Sequence, residues 1–155
     1  MRIQTQLLVL ALLPSACQPS KAPSTDGVAG LTTRTVEHSG VHADLKAEHL
    51  VTGNLDELNG KYKLRVAAVT YVPGGFIGNH HHAGPGLRCV TSGTLTYVQE
   101  GETSNFGPGD CFYESGNADH HARNNGHEPV KLFNFQILPS DWEGSSAITV
   151  TAVPE

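Results

Sequence analysis

The sequence predicts an all-β domain, a closed barrel or sandwich, and three observations carry that prediction. Short apolar runs alternate with polar positions at period two, and clusters of glycine, proline and asparagine separate them. No window sustains the period of an amphipathic helix, and no internal repeat stands out. The chain has 155 residues, with 17 glycines and nine prolines gathered at the gaps between runs, which suits one turn-rich domain. A domain of that size buries a real core without needing disulfides or metal merely to fold.

Taken in order, Thr32 to Glu37 is a candidate first strand, and the polar stretch from there to His49 has no pattern that assigns it. From Lys61 to Val72, residues Tyr62, Leu64, Val66, Ala68, Thr70 and Val72 share one face opposite Lys61, Lys63 and Arg65. That pattern predicts a half-buried strand with the apolar set inward, ended by Pro73-Gly74-Gly75, with a new strand over Phe76 to His82. Leu87 to Thr91 and Thr94 to Gln99, joined by Ser92-Gly93, read as a hairpin. A turn at Gly107-Pro-Gly109 precedes a strand from Asp110 to Glu114, and Asn125-Gly126 marks a third turn. Val130 to Leu138 and Ala147 to Val153 close the domain. Phe133 and Phe135 share a face and read as core, with Phe76 and Ile137 as neighbours, while Trp142 caps a barrel end or packs the tail. Tyr113 and Phe112 suit packing better than catalysis and are left unassigned.

The N-terminus has a different character. Arg2, the apolar run Leu7 to Leu13 and the small residues Ser15 and Ala16 form an export signal, too short in its apolar part to span a bilayer as a helix. The ending PSAC resembles a bacterial lipobox, with Pro14 where leucine or valine is usual, so Cys17 is the expected lipidation site and plain secretion the alternative. Residues 1–17 are thus a leader, 18–31 a flexible tether poor in apolar side chains, and 32–155 the folded domain. The expected location is the periplasm or the outer membrane, with the lipid as the sole membrane contact. Cys89 and Cys111 remain as an even pair in a compartment that permits disulfides, and are either bonded or two small buried hydrophobes.

Charged residues make up 16% of the chain and the net charge is −5, so no basic face is available for nucleic acid. Histidine is where chemistry concentrates: six of the nine lie between His80 and His127. His80 and His82 stand two apart on an expected strand, so both leave one face and can converge on an ion, and His81 points away. A third imidazole from another strand would complete a facial set with open positions for small ligands.

The setting of these residues supplies the third. Gly74, His80, His82 and Gly93 fall at the spacings G-x5-HxH-x3-E-x6-G, and Gly109, His120 and Asn124 at those of G-x5-P-x-G-x2-H-x3-N. The chain from about Lys61 to Leu138 therefore resembles the cupins, with Ser115 and Asn117 in place of the second motif's proline and glycine. The resemblance implies a single jelly-roll barrel holding one divalent metal on His80, His82 and His120, with Fe2+ favoured and Zn2+, Mn2+, Ni2+ or Cu2+ as alternatives. It also implies that Cys89 and Cys111 lie on neighbouring strands, and it allows a homodimer.

Gly86 stands where most metal-binding cupins carry a ligand glutamate. Three neutral imidazoles would leave the charge of the ion uncompensated, which favours an anionic or enolate ligand. Strand parity places Arg88 inward beside Val90, either clamping a substrate carboxylate or paired with a local acid. His121 and His127 read as surface residues. The functional expectation is an envelope metalloenzyme acting with oxygen on a small anionic or enolisable molecule, dioxygenase-like. The alternative is a non-catalytic module that binds metal or a small ligand.

Overall fold

The computed structural model describes residues 31–152, and the leader, Cys17 and most of the tether lie outside the described residues. Ten strands and no helix are present among the described residues. They are β1 (Leu31–Arg34), β2 (His38–Leu50), β3 (Tyr62–His82), β4 (Gly86–Ser92) and β5 (Leu95–Gln99), then β6 (Glu102–Phe106), β7 (Cys111–Glu114), β8 (His120–Arg123), β9 (Val130–Pro139) and β10 (Ala147–Ala152). The hydrogen-bonded path β6-β5-β8-β3-β9-β4-β7 is antiparallel throughout and folds back on itself, a nearly closed jelly-roll barrel.

The fold turns on β3, whose 21 residues serve both halves of the barrel. Tyr62 to Tyr71 pair with β9, whereas Phe76 to His80 pair with β8. Pro73-Gly74-Gly75 therefore bends the strand between two partners instead of ending it. Gly74 has φ 75°, open to glycine at little cost, and a side chain on Gly75 would run into the backbone of Gly40 and Val72. The unassigned polar stretch before His49 is β2, thirteen residues paired along β3 with bulges near Gly40 and Lys46.

The expected hairpin of β4 and β5 is not one, because β4 pairs with β7 and β9, and β5 with β6 and β8. Ser92-Gly93 carries the chain from one half of the barrel to the other. The true hairpin is β5–β6, closed by Glu100 and Gly101 at φ 54° and 82°, the left-handed pair that a two-residue turn requires.

Two expected faces are reversed. On β3, Lys63, Val69 and Tyr71 are buried, while Tyr62, Leu64 and Val72 lie outside. On β9, Val130, Leu132, Gln136 and Leu138 are buried and Phe133 and Phe135 are each 40% exposed on the outer face. Both strands carry apolar residues on both faces, so alternation alone does not tell inside from outside. The buried Lys63 is matched by Glu48, 3.0 Å away, which also accepts from Arg65 at 2.6 Å.

The core joins the two halves: Val69, Tyr71, Val90, Phe112 and Leu132 of one pack against Leu95, Tyr97 and Ala122 of the other. Phe106 and Phe112 stack at 4.1 Å, and Tyr97 meets Phe112 at 5.0 Å. Asn124, completely buried, donates to the carbonyls of Tyr71 and Glu128 and accepts from the Gly126 amide. The second motif's asparagine thus anchors a corner of the barrel and touches none of the histidines described below.

Candidate metal centre

The two-residue spacing of His80 and His82 at the end of β3 sends both rings inward, and antiparallel register places His120 of β8 directly across from His80. All three are buried, and each offers a ring nitrogen within 4.8 Å of the others. Ring centroids lie 4.3 to 5.2 Å apart.

The far sides of two of the rings are fixed by carbonyl acceptors. Nδ1 of His80 faces the Gly78 carbonyl at 2.7 Å, and Nδ1 of His120 faces that of Ala118 at 3.1 Å. A carbonyl can only accept, so Nδ1 carries the proton in both rings and leaves an Nε2 lone pair for the centre. Nδ1 of His82 makes a longer contact, 3.4 Å, to the Ser146 hydroxyl, which donates to Gln136 at 2.7 Å. Burial lowers the pKa of His80 to about 3, helped by its neighbours His120 and His82, and burial lowers that of His120. Both rings are therefore neutral and ready to bind a cation at physiological pH.

Glu114 of β7 had no role on sequence grounds, yet it completes this cluster. Its carboxylate is 5% exposed and stands 3.1 Å from His82 Nε2 and 3.3 Å from His120 Nε2. Burial would raise its pKa, but the hydrogen bond with His82 and the charge of Arg88 more than offset this and hold it at about 2. The signal was strand parity: in Cys111–Glu114 the buried positions are Phe112 and Glu114, an acid on the inner face of an edge strand.

Arg88 is inward and buried, as parity predicted, with its guanidinium against the Glu114 carboxylate. Of the two roles considered for it, pairing with a local acid is the one the structure displays. Outside the cluster, His81 pairs with Asp119 at 2.9 Å, and His121 and His127 are exposed. Cys89 lies opposite Cys111 across the β4–β7 ladder and the two form a disulfide on the outer face. Trp142 donates to the Ser145 carbonyl, within the loop joining β9 to β10.

The donor chemistry tests whether an ion fits. The Nε2 lone pairs of His80 and His120 and the Glu114 carboxylate are acceptors that converge on one spot, a set that repels itself without a proton or a cation between its members. Three buried histidines with an adjacent carboxylate suit a divalent transition metal, so the three histidines could hold one. They form one wall of a cavity of about 390 Å³ whose other walls are mostly apolar, including Val69, Tyr71, Tyr97, Phe112 and Leu132. Burial raises the Tyr71 and Tyr97 hydroxyls above the ordinary phenol range, so both stay neutral donors rather than bases.

No curated protein matches the sequence. Among solved structures, the polyketide cyclase RemF from Streptomyces resistomycificus superposes with a TM-score of 0.54 at 14% identity, covering 81% of each chain. An uncharacterised Klebsiella pneumoniae protein with a double-stranded β-helix domain gives 0.51 at 20% identity, covering 71% of this chain and 83% of its own. KdgF from a Halomonas species gives 0.50 at 20% identity, covering 68% of this chain and 84% of its own. At these identities the likeness is one of fold. The cupin domain family model matches residues 67–135, a stretch that contains all three histidines of the cluster. With both histidine motifs inside that match and the barrel nearly closed around them, residues 67–135 form a cupin domain.

Proposed function

We propose that this cupin is a metal-dependent enzyme acting with oxygen on a small, enolisable and largely apolar molecule held inside the barrel. The carrying observation is the placement of three buried histidines on the wall of a largely apolar cavity of about 390 Å³, a volume suited to a small-molecule site. When bound, the ion, for which Fe(II) is our first choice, would supply Lewis acidity and electron transfer that no side chain possesses.

The remaining residues bind and shield. Phe112 and Tyr97 offer ring faces to an unsaturated body, and Val69 and Leu132 exclude water around it. Both cations on the cavity wall are already matched, Arg88 by Glu114 and Arg65 by Glu48. That pairing favours an enolisable ligand over one carrying a separate permanent carboxylate. We further propose that the protein works outside the cytoplasm, a reading supported by its leader sequence and by a disulfide on the outer face.

Oxygen uptake by protein loaded with Fe(II), measured with 1,3-dicarbonyls and with phenols, tests the activity. Uptake that depends on the added compound supports the proposal. Saturable binding of these compounds without uptake would instead make the barrel a ligand-binding module.

A further inference from the structure

Gly86 occupies the first motif's carboxylate position, and in this barrel no side chain fits there: a Cβ would run into the Phe135 carbonyl and the Arg88 guanidinium. Its partner across the β4–β7 ladder is Glu114. The carboxylate missing from one strand is therefore present on the next, at the same rung and pointing into the same cavity.

We propose that Glu114 supplies the carboxylate arm of the metal centre from β7, with Arg88 as the positioning residue that holds it against His82 and His120. This rests on the metal-centre reading above and deepens it. Ligand atoms each about 2.1 Å from a common ion and adjacent in its coordination shell lie roughly 3.0–3.4 Å apart. The carboxylate oxygens of Glu114 stand at 3.1 and 3.3 Å from the two Nε2 atoms, within that range. Nδ1 of His120 faces the Ala118 carbonyl and so carries that ring's proton, which leaves His120 Nε2 and the Glu114 carboxylate acceptor against acceptor without an ion. A cation among them removes that conflict.

The consequence for the ligand is a change in charge. Ion and carboxylate together carry one unit less positive charge than a centre of three histidines alone, which lowers the pull on anions. Arg88, packed on Glu114 and reaching the Phe135 carbonyl at 3.4 Å, is committed to the protein and is not a substrate clamp.

Difference infrared spectra of the full wild-type chain, with and without Zn(II) alone, read the carboxylate directly. Among the described residues Glu114 is the one carboxylate lining the cavity, so labelling glutamate with carbon-13 identifies its bands. The expected result is a shift of glutamate carboxylate bands on saturation with one Zn(II). Removing both buried charges together, in Glu114→Gln/Arg88→Gln, leaves neither uncompensated. This variant should bind Zn(II) at least about tenfold more weakly, lose the band shift and, loaded with Co(II), bind azide more tightly than wild type. Zn(II) bound by wild type with no glutamate band shift would overturn the role of Glu114 and leave the three-histidine centre standing. Absence of Zn(II) uptake by wild type would overturn both. The wild-type spectrum decides the matter even where the double variant does not fold.

Discussion

Removing the Cys89–Cys111 disulfide should cost the domain roughly 3 kcal/mol. The bridge closes a loop with a sequence separation of 22, and the loss of chain entropy in the unfolded state for a loop of that length is about 3 kcal/mol at room temperature. For a domain of this size each kcal/mol moves the melting temperature by roughly 3–5 °C, so the shift should be about 10 °C. The bond sits on the outer face, with Cys111 exposed, so a thiol reductant reaches it in the folded protein. Thermal melts by circular dichroism would compare oxidised wild type, reduced wild type and Cys89→Ala/Cys111→Ala. The reduced protein and the variant should both melt about 10 °C lower with metal content unchanged. Equal melting temperatures, or two thiols that alkylate without reductant, would refute the reasoning.

Three further outcomes follow from the packing and the charges. Gly86→Ala should lose about 1–3 kcal/mol through overpacking against the Phe135 carbonyl, and Gly86→Glu should do no better and should not raise Zn(II) affinity; a melt at the wild-type temperature would contradict this. Asn124→Ala strands the Tyr71 and Glu128 carbonyls and should cost roughly 2–4 kcal/mol, read by urea unfolding, while the folded fraction keeps its metal. The metal-free protein should lose stability in acid: His80 is held at about 3 and Glu114 at about 2, below their ordinary values of 6.5 and 4.5. Between those limits the unfolded chain binds protons that the native one does not, so melting temperatures should fall steadily as pH drops below about 6.5; a flat profile from pH 7 to 4 would contradict the burial of neutral His80.

What the sequence conveyed well was whatever depends on local spacing. His80 and His82 converge because a strand repeats every two residues, and Arg88 faces inward for the same reason. His120 was recoverable only through the resemblance, which sets it at the second motif's spacing from Gly109 and Asn124. The resemblance implied neighbouring strands for Cys89 and Cys111 but left their bond open, and the ladder then put them at one rung.

What it concealed depends on partners far along the chain. The inner face of β3 carries Lys63 and Arg65, tolerated because Glu48 of β2 lies against both, and no local pattern announces that match. Phe133 and Phe135 looked like core because they are apolar, whereas the pleat of β9 commits Leu132, Asn134 and Gln136 to the interior. Pro73-Gly74-Gly75 has the composition of a strand end but performs a bend that lets one strand serve two sheets. Glu114 escaped notice because its meaning comes from Gly86 across the ladder, a relation visible only once the register is known.

The central claim is that His80, His82 and His120 hold one divalent metal. Its most direct test is the metal content of untagged wild-type protein after saturation with Fe(II) or Zn(II) and removal of excess, compared with His82→Ala and His120→Ala. Wild type should retain one equivalent per chain and each variant close to none, with the β-sheet circular dichroism of all three alike. Stoichiometric metal retained by both variants, or none retained by folded wild type, would contradict the claim.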